Sequence, residues 1–234
     1  MAGHQTSLRK IVSALEAHYG RPSPPLTSAV QLILYENIGY LVEDDRREAA
    51  FAALRDQIGL RPTDLLSAST EQLLEITKLG GIHPEMRVQR LKEIAQIVLN
   101  DFEGDLDVVL GLPLKQALKE LQKFPSIGQP GAEKILLFTK TYPILALESN
   151  GLRVLLRLGF STEGKNYSAT YRSVQEALAD QLGDDCEFLI RAHQLLRQHG
   201  KQLCKTNGPR CGDCPLRQNC RHNEFTHHSD GQRL

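Results

Sequence analysis

Apolar residues recur along this chain at the three- and four-residue spacing of helices, with short polar breaks between the runs. Leu8, Ile11, Val12, Leu15 and Tyr19 make the first stripe, and Gly20 stops it. Pro22, Pro24 and Pro25 then read as a stiff connector. A more apolar helix is predicted over Ala29–Tyr40, and another over Asp44–Ile58, closed by Gly59. Ser69-Thr70-Glu71-Gln72 fits a capping box, in which Ser and Gln side chains reciprocally satisfy backbone N–H groups. It opens a helix carrying Leu73, Leu74 and Ile76, which Gly80-Gly81 ends. Pro84 starts the next helix, with Val88, Leu91, Ile94, Ala95 and Val98 on one face to about Asn100. Helices over Pro113–Lys123, Pro130–Thr139, Leu152–Leu158, Ala169–Leu182 and Glu187–Leu203 complete the set. Leu145-Ala146-Leu147 is the nearest thing to a strand and is too short to be one. The fold class expected is all-α.

Composition agrees with the pattern. Aromatic residues are 6% of the chain and Trp is absent, a mix that favours helices. The longest apolar runs fall far short of the roughly 20 residues that span a membrane, so no membrane partner is expected. The opening MAGHQTSLRK has no apolar core, which predicts no secretory signal. Net charge is zero, but its distribution is uneven: residues 190–234 carry eight Lys+Arg against three Asp+Glu. The C-terminal segment is therefore the expected basic face. The acidic runs Glu43-Asp44-Asp45 and Asp184-Asp185 read as helix starts, where the backbone carries partial positive charge.

Four of the five cysteines change the picture. Cys204, Cys211, Cys214 and Cys220 follow the spacing C-x6-C-x2-C-x5-C, with Gly208-Pro209 and Pro215 supplying turns. Thiolate sulfur selects zinc or an iron–sulfur cluster over hard cations, and the spacing alone leaves both open. Unpaired cysteines fit a reducing, intracellular compartment. Cys186, ahead of an apolar stretch, reads as a buried packing residue.

A second motif spans Leu121 to Phe138, LQKFPSIGQPGAEKILLF. One helix ends near Lys123, a tight turn occupies Pro125–Gln129, and Pro130 opens the next helix. Gly128 permits backbone angles that other residues avoid. Open N–H groups at the second helix can hold a phosphate oxygen, although an ordinary helical hairpin has the same pattern.

The hairpin, the stretch LESNGLRV beginning at Leu147, and the four-cysteine loop together resemble the endonuclease III family. This is the iron–sulfur branch of the HhH-GPD DNA glycosylases, which includes the adenine glycosylases. The resemblance covers roughly residues 8–221. It implies a two-lobed fold: a central bundle over 28–144 with the helix–hairpin–helix at about 113–139, and a lobe formed by 1–27 with 145–234. It places the active cleft between the lobes. It implies a [4Fe–4S] cluster on Cys204, Cys211, Cys214 and Cys220, with zinc as the minor alternative. It also implies a monomer that acts on double-stranded DNA in the cytoplasm, associated with the nucleoid.

The implied activity is excision of a flipped, damaged or mispaired base by cutting its N-glycosidic bond. Glu148 stands where the family has its catalytic Asp, within a match to D-x-N-x-x-R-V through Asn150, Arg153 and Val154. Pro130 stands where lyase members have their nucleophilic Lys, so Schiff-base chemistry is not expected there; Lys134, one turn on, is the substitute candidate. Glu36 is a candidate second acid, Asn37 the candidate wedge, and Tyr35 and Tyr40 candidate stacking rings. DNA contacts are expected from Ser126, Gly128 and Gly131 through backbone, from Asn150 and Arg153, and from Lys205, Arg210 and Arg217 through phosphates. A DNA-binding iron–sulfur protein that has lost catalysis is the rival reading, and a zinc-stapled scaffold for protein partners is the third.

Overall fold

A computed structural model describes residues 6–222. The polar tail expected to fray lies outside the described residues from 223 onward. Eleven α-helices run in order among the described residues: α1 (Leu8–Tyr19), α2 (Ala29–Ile38), α3 (Asp44–Gln57), α4 (Pro62–Ser67), α5 (Thr70–Leu79), α6 (Pro84–Phe102), α7 (Leu114–Leu121), α8 (Gln129–Phe138), α9 (Ser149–Leu158), α10 (Tyr167–Leu182) and α11 (Cys186–Gln202). No strand occurs among the described residues; a single parallel bridge pairs Tyr40 with Gly81.

The chain divides into two compact units. One joins the residues up to Pro24 to those from Pro143 onward; the other is Pro25–Tyr142. In the second unit the nineteen-residue α6 is the spine, packed against α2, α4 and α5. Its Leu91, Ile94, Ala95 and Val98 are fully buried, the face read from their spacing. Truncating Ile94 to Ala removes buried methylenes and leaves a cavity, at a cost of about 2–5 kcal/mol. In the first unit α9 packs along α11, and α1 packs on α11 and α10.

Local chemistry sets the boundaries. Ser69 Oγ accepts from Gln72 N at 3.2 Å while Gln72 Oε1 accepts from Ser69 N at 2.9 Å, closing the capping box. Asp185 caps α11 by accepting from Phe188 N at 3.0 Å. The periodicity overlooked α4, yet its signal is present: Pro62 opens it, and the Asp64 carboxylate returns to accept from Arg61 N at 3.2 Å. A 3-10 turn over Leu106–Gly111 also went unread; Asp105 caps it at Asp107 N, 2.9 Å away. Leu145–Leu147 is buried and extended without a partner strand, because side chains take the ladder's place. His193 Nδ1 lies 2.7 Å from Ala146 O, and Gln175 donates to Leu145 O at 3.3 Å. Cys186 is not buried as expected: it is the first residue of α11, half-exposed where the helix leaves the core.

Candidate functional site

Glu148 is the N-cap of α9. Its backbone is extended, and its Oε1 accepts from Gly151 N at 2.7 Å. Its Oε2 accepts from the Asn150 amide at 2.7 Å. The positive end of α9 therefore holds an anion in a fixed orientation. The hydrogen bonds continue inward. Arg153 donates to Asn150 Oδ1 at 2.8 Å, to Gly200 O at 2.9 Å and to Cys204 O at 2.9 Å. A continuous relay thus joins the carboxylate to the cysteine loop. Gly200 makes the close approach possible, since a Cβ there would sit 2.6 Å from Asn150 O and 2.7 Å from Asn150 Cβ.

Two residues expected to contact DNA lie in this relay. Asn150 places both ends of its amide on Glu148 and Arg153, and the half-buried Arg153 places its guanidinium on internal acceptors. Both orient the carboxylate.

The cysteine loop lies beyond Arg153. None of the four cysteines is in a disulfide, and all are half-exposed. Burial pushes the Cys214 thiol up to about 11, and repulsion from Cys204, Cys220 and Cys211 adds to the rise. Arg157 donates to Cys204 Sγ at 3.3 Å and to Lys205 O at 2.7 Å. His199 Nε2 lies 3.5 Å from Cys214 Sγ, and its Nδ1 lies 2.9 Å from the Tyr19 hydroxyl. Burial lowers His199 to about 4, so the ring is neutral near pH 7. Burial also raises Tyr19 to about 12, so it stays a phenol within hydrogen-bond reach of His199. Among the described residues no three His, Cys, Asp or Glu side chains are placed to hold a metal ion. The donor set nevertheless fits a thiolate-bound centre: four unbridged soft ligands, with N–H groups next to two of the sulfurs. Around the loop Lys205, Arg210 and Arg217 are exposed, and Arg210 is paired with Asp213 at 2.6 Å.

In the second unit the hairpin is built from α7, the turn and α8. The left-handed residue of the turn is Ser126 (φ 64°), and Gly128 has an ordinary φ of −87°. Gly128 therefore does not use the conformational latitude a glycine permits. What it supplies is space: the nearest atom to a Cβ there is Pro130 Cδ at 3.9 Å, which leaves the start of α8 uncovered. Gly131 is half-buried, and a Cβ there would make only ordinary contact with Ile127.

The residues read from α2 are mostly engaged. Lys134 is ion-paired with Glu36, whose other oxygen lies 3.8 Å from Arg47. The candidate nucleophile and the candidate second acid thus hold each other. Asn37 is 1% exposed and donates to Ile33 O at 3.0 Å and Pro125 O at 2.9 Å. It ties α2 to the hairpin turn, so in this structure the candidate wedge is buried. Tyr35 sets its ring edge-on to Phe51 at 5.4 Å, under the Arg47 guanidinium at 5.7 Å. Burial, then the Glu48 carboxylate, raises it to about 12. Tyr40 remains 44% exposed, and its backbone N donates to Gly80 O at 2.9 Å. Leu41 (75% exposed, φ 49°) and Ile82 (47%) flank the same bridge. Sequence reading passed over this apolar tip because single apolar residues in loops carry no period. Arg87 is fully buried, and its guanidinium donates to the carbonyls of Ile82, Thr77 and Gly81 and fixes that loop. Arg157 had a visible signal, lying one helical turn after Arg153 on the face of α9 that meets the cysteine loop.

No family model matches the chain. In sequence it is 24% identical over 194 residues to endonuclease III of Thermotoga maritima, covering 83% of each chain. Endonuclease III of Escherichia coli K12 is 25% identical over 163 residues, 70% of each chain. In structure it matches a trapped endonuclease III–DNA covalent intermediate with a TM-score of 0.72 at 18% identity, over 95% of this chain and 99% of that one. The chain has the all-α fold of the HhH-GPD DNA glycosylases and resembles endonuclease III over most of its length.

Proposed function

We propose that this protein is a DNA glycosylase of base excision repair that hydrolyses the N-glycosidic bond of a flipped base. The observation that carries the reading is the Glu148 carboxylate, fixed by the start of α9 and by Asn150 and oriented through Arg153. A carboxylate with both oxygens accepting hydrogen bonds is held in one orientation. It suits stabilising the cationic sugar that develops as the base departs. The base leaves with the electron pair of the broken bond, water adds to the cationic C1′, and the proton that water gives up neutralises the departed base. The two positions weighed for a Schiff-base amine do not offer a free one: position 130 is Pro, and Lys134 is ion-paired with Glu36. The exposed tip of Tyr40, Leu41 and Ile82 is suited to fill the gap a flipped base leaves.

The four cysteines are assigned to a [4Fe–4S] cluster. When bound, it would anchor the loop whose Cys204 carbonyl receives Arg153 and Arg157. A second reading, the scaffold with its chemistry lost, is favoured by one observation: the hydrogen bonds on Glu148 are also those of an ordinary helix cap. One experiment separates the two. Duplexes carrying a panel of lesions are incubated with the protein and treated with alkali. Base release that Glu148→Gln abolishes supports the glycosylase; DNA binding without release supports the second reading. A borohydride-trapped adduct overturns the monofunctional assignment.

A further inference from the structure

His199 lies in the last turn of α11, ahead of Cys204, and is 1% exposed. Both of its ring nitrogens face a hydrogen-bonding group. Nδ1 lies 2.9 Å from the hydroxyl of Tyr19, the last residue of α1. Nε2 lies 3.5 Å from Cys214 Sγ. The ring is held beside the cysteine loop, because the His199 carbonyl also accepts from Cys204 N at 2.9 Å. Tyr19, His199 and Cys214 all belong to the same compact unit. A neutral imidazole carries one N–H, so one of its two neighbours must donate to it and the other must accept. With a Cys214 thiol either arrangement works, since S–H and phenol O–H can each donate or accept. With a thiolate on iron only one does. The sulfur then has no hydrogen, so Nε2 must carry the N–H and Nδ1 must accept. Tyr19 is the group placed to donate to it, and its O–H fixes the tautomer.

We propose that Tyr19 and His199 are positioning residues for the metal centre: Tyr19 O–H donates to Nδ1, which commits Nε2–H to the Cys214 thiolate and raises the reduction potential of the cluster. Protons balance in this arrangement. Cys214 gives its thiol proton to water as it binds iron, the ring keeps a single hydrogen, and Tyr19 keeps its own. An N–H···S bond strengthens as negative charge builds on the sulfur, so it favours the reduced form. A partner that fixes the orientation and tautomer of such a donor tunes the metal through it. This inference rests on the [4Fe–4S] assignment above, and the test separates the two.

The midpoint potential of the anaerobically purified holoprotein is measured by protein-film voltammetry, with iron and sulfide assayed on the same samples. His199→Leu removes the N–H and should make reduction about tenfold less favourable, a shift of about 59 mV to lower potential for one electron. Tyr19→Phe keeps the ring but frees its tautomer, and should shift the potential the same way by less. His199→Gln supplies an amide N–H that needs no tautomer, so it should stay near wild type, and adding Tyr19→Phe to it should change nothing. Tyr142→Phe removes a phenol bonded to Leu112 O in the other unit and should also resemble wild type. If iron and sulfide are retained and both His199→Leu and Tyr19→Phe keep the wild-type potential, the positioning role is overturned while the cluster assignment stands. A Tyr19→Phe shift that persists in the His199→Gln background belongs to general packing and overturns it too. If His199→Leu does not retain iron, Tyr19→Phe, alone and with His199→Gln, decides through the same two comparisons. Wild-type protein that contains no iron and sulfide fails the cluster assignment, and this inference with it.

Discussion

Replacing Arg153 by Met keeps the apolar stem and removes the guanidinium that joins Asn150 to the cysteine loop. Three hydrogen bonds disappear: to Asn150 Oδ1, Gly200 O and Cys204 O. Bonds to a charged donor are each worth about 1.5–3 kcal/mol, but Arg153 is half-buried and water recovers part of the loss. A net cost of about 2–3 kcal/mol follows, and at about 2–4 °C per kcal/mol for a chain this size the melting temperature should fall by roughly 4–12 °C. The larger effect is on catalysis. Without Arg153 the Asn150 amide can rotate away from Glu148 Oε2, and only the Gly151 N–H then holds the carboxylate. A displacement of about 1 Å at a reacting centre costs on the order of 100-fold. Single-turnover base release should therefore slow about 100-fold while duplex affinity, measured by anisotropy, stays close to wild type. An Arg153→Met protein that melts lower but releases base at the wild-type rate would refute the relay. One that chiefly loses DNA affinity would restore the phosphate contact read from the sequence.

The other predictions concern separate parts of the molecule. Gly200→Ala forces a methyl against Asn150, so urea midpoint and base release should fall together; an unchanged midpoint would show that α9 and α11 are less closely packed than described. Asn37→Ala leaves Pro125 O without its donor and should cost about 1–3 kcal/mol in urea unfolding. An Asn37→Ala protein of wild-type stability with weakened lesion binding would return this residue to the wedge role. Tyr35, held at about 12, binds its proton more tightly folded than unfolded. Stability should fall as pH rises from 10 to 12, and Tyr35→Phe should lessen that fall; equal curves would remove the argument from burial. Stripping iron with a chelator under reducing conditions should lower the melting temperature and bleach the visible absorbance, whereas release of zinc from a colourless protein would assign the cysteines to zinc.

Where a structural role is carried by local spacing, the sequence showed it. The α6 stripe, the Ser69–Gln72 box and the Asp185 cap depend on residues three or four apart. The cysteine loop and the hairpin were legible for the same reason. Roles set by distant partners were not. Asn37 looked like a free polar residue until Pro125, eighty-eight positions away, accepted its hydrogen bond. Arg153 looked like a phosphate ligand because its acceptors belong to Gly200 and Cys204. Lys134 and Glu36, on α8 and α2, were read as independent catalytic groups, and neither helix reveals that the two form a pair. The hairpin turn differs again: Ser126, not Gly128, takes the left-handed angle, a conformation that no periodicity reports.

The most direct test is single-turnover base release from lesion-bearing duplexes by wild type and Glu148→Gln, compared at saturating protein so that binding cancels. The account predicts that wild type releases a base from at least one lesion class, leaving an alkali-labile, borohydride-silent abasic site, and that Glu148→Gln binds the same duplex but leaves the base attached. Release at equal rates by both proteins would contradict it.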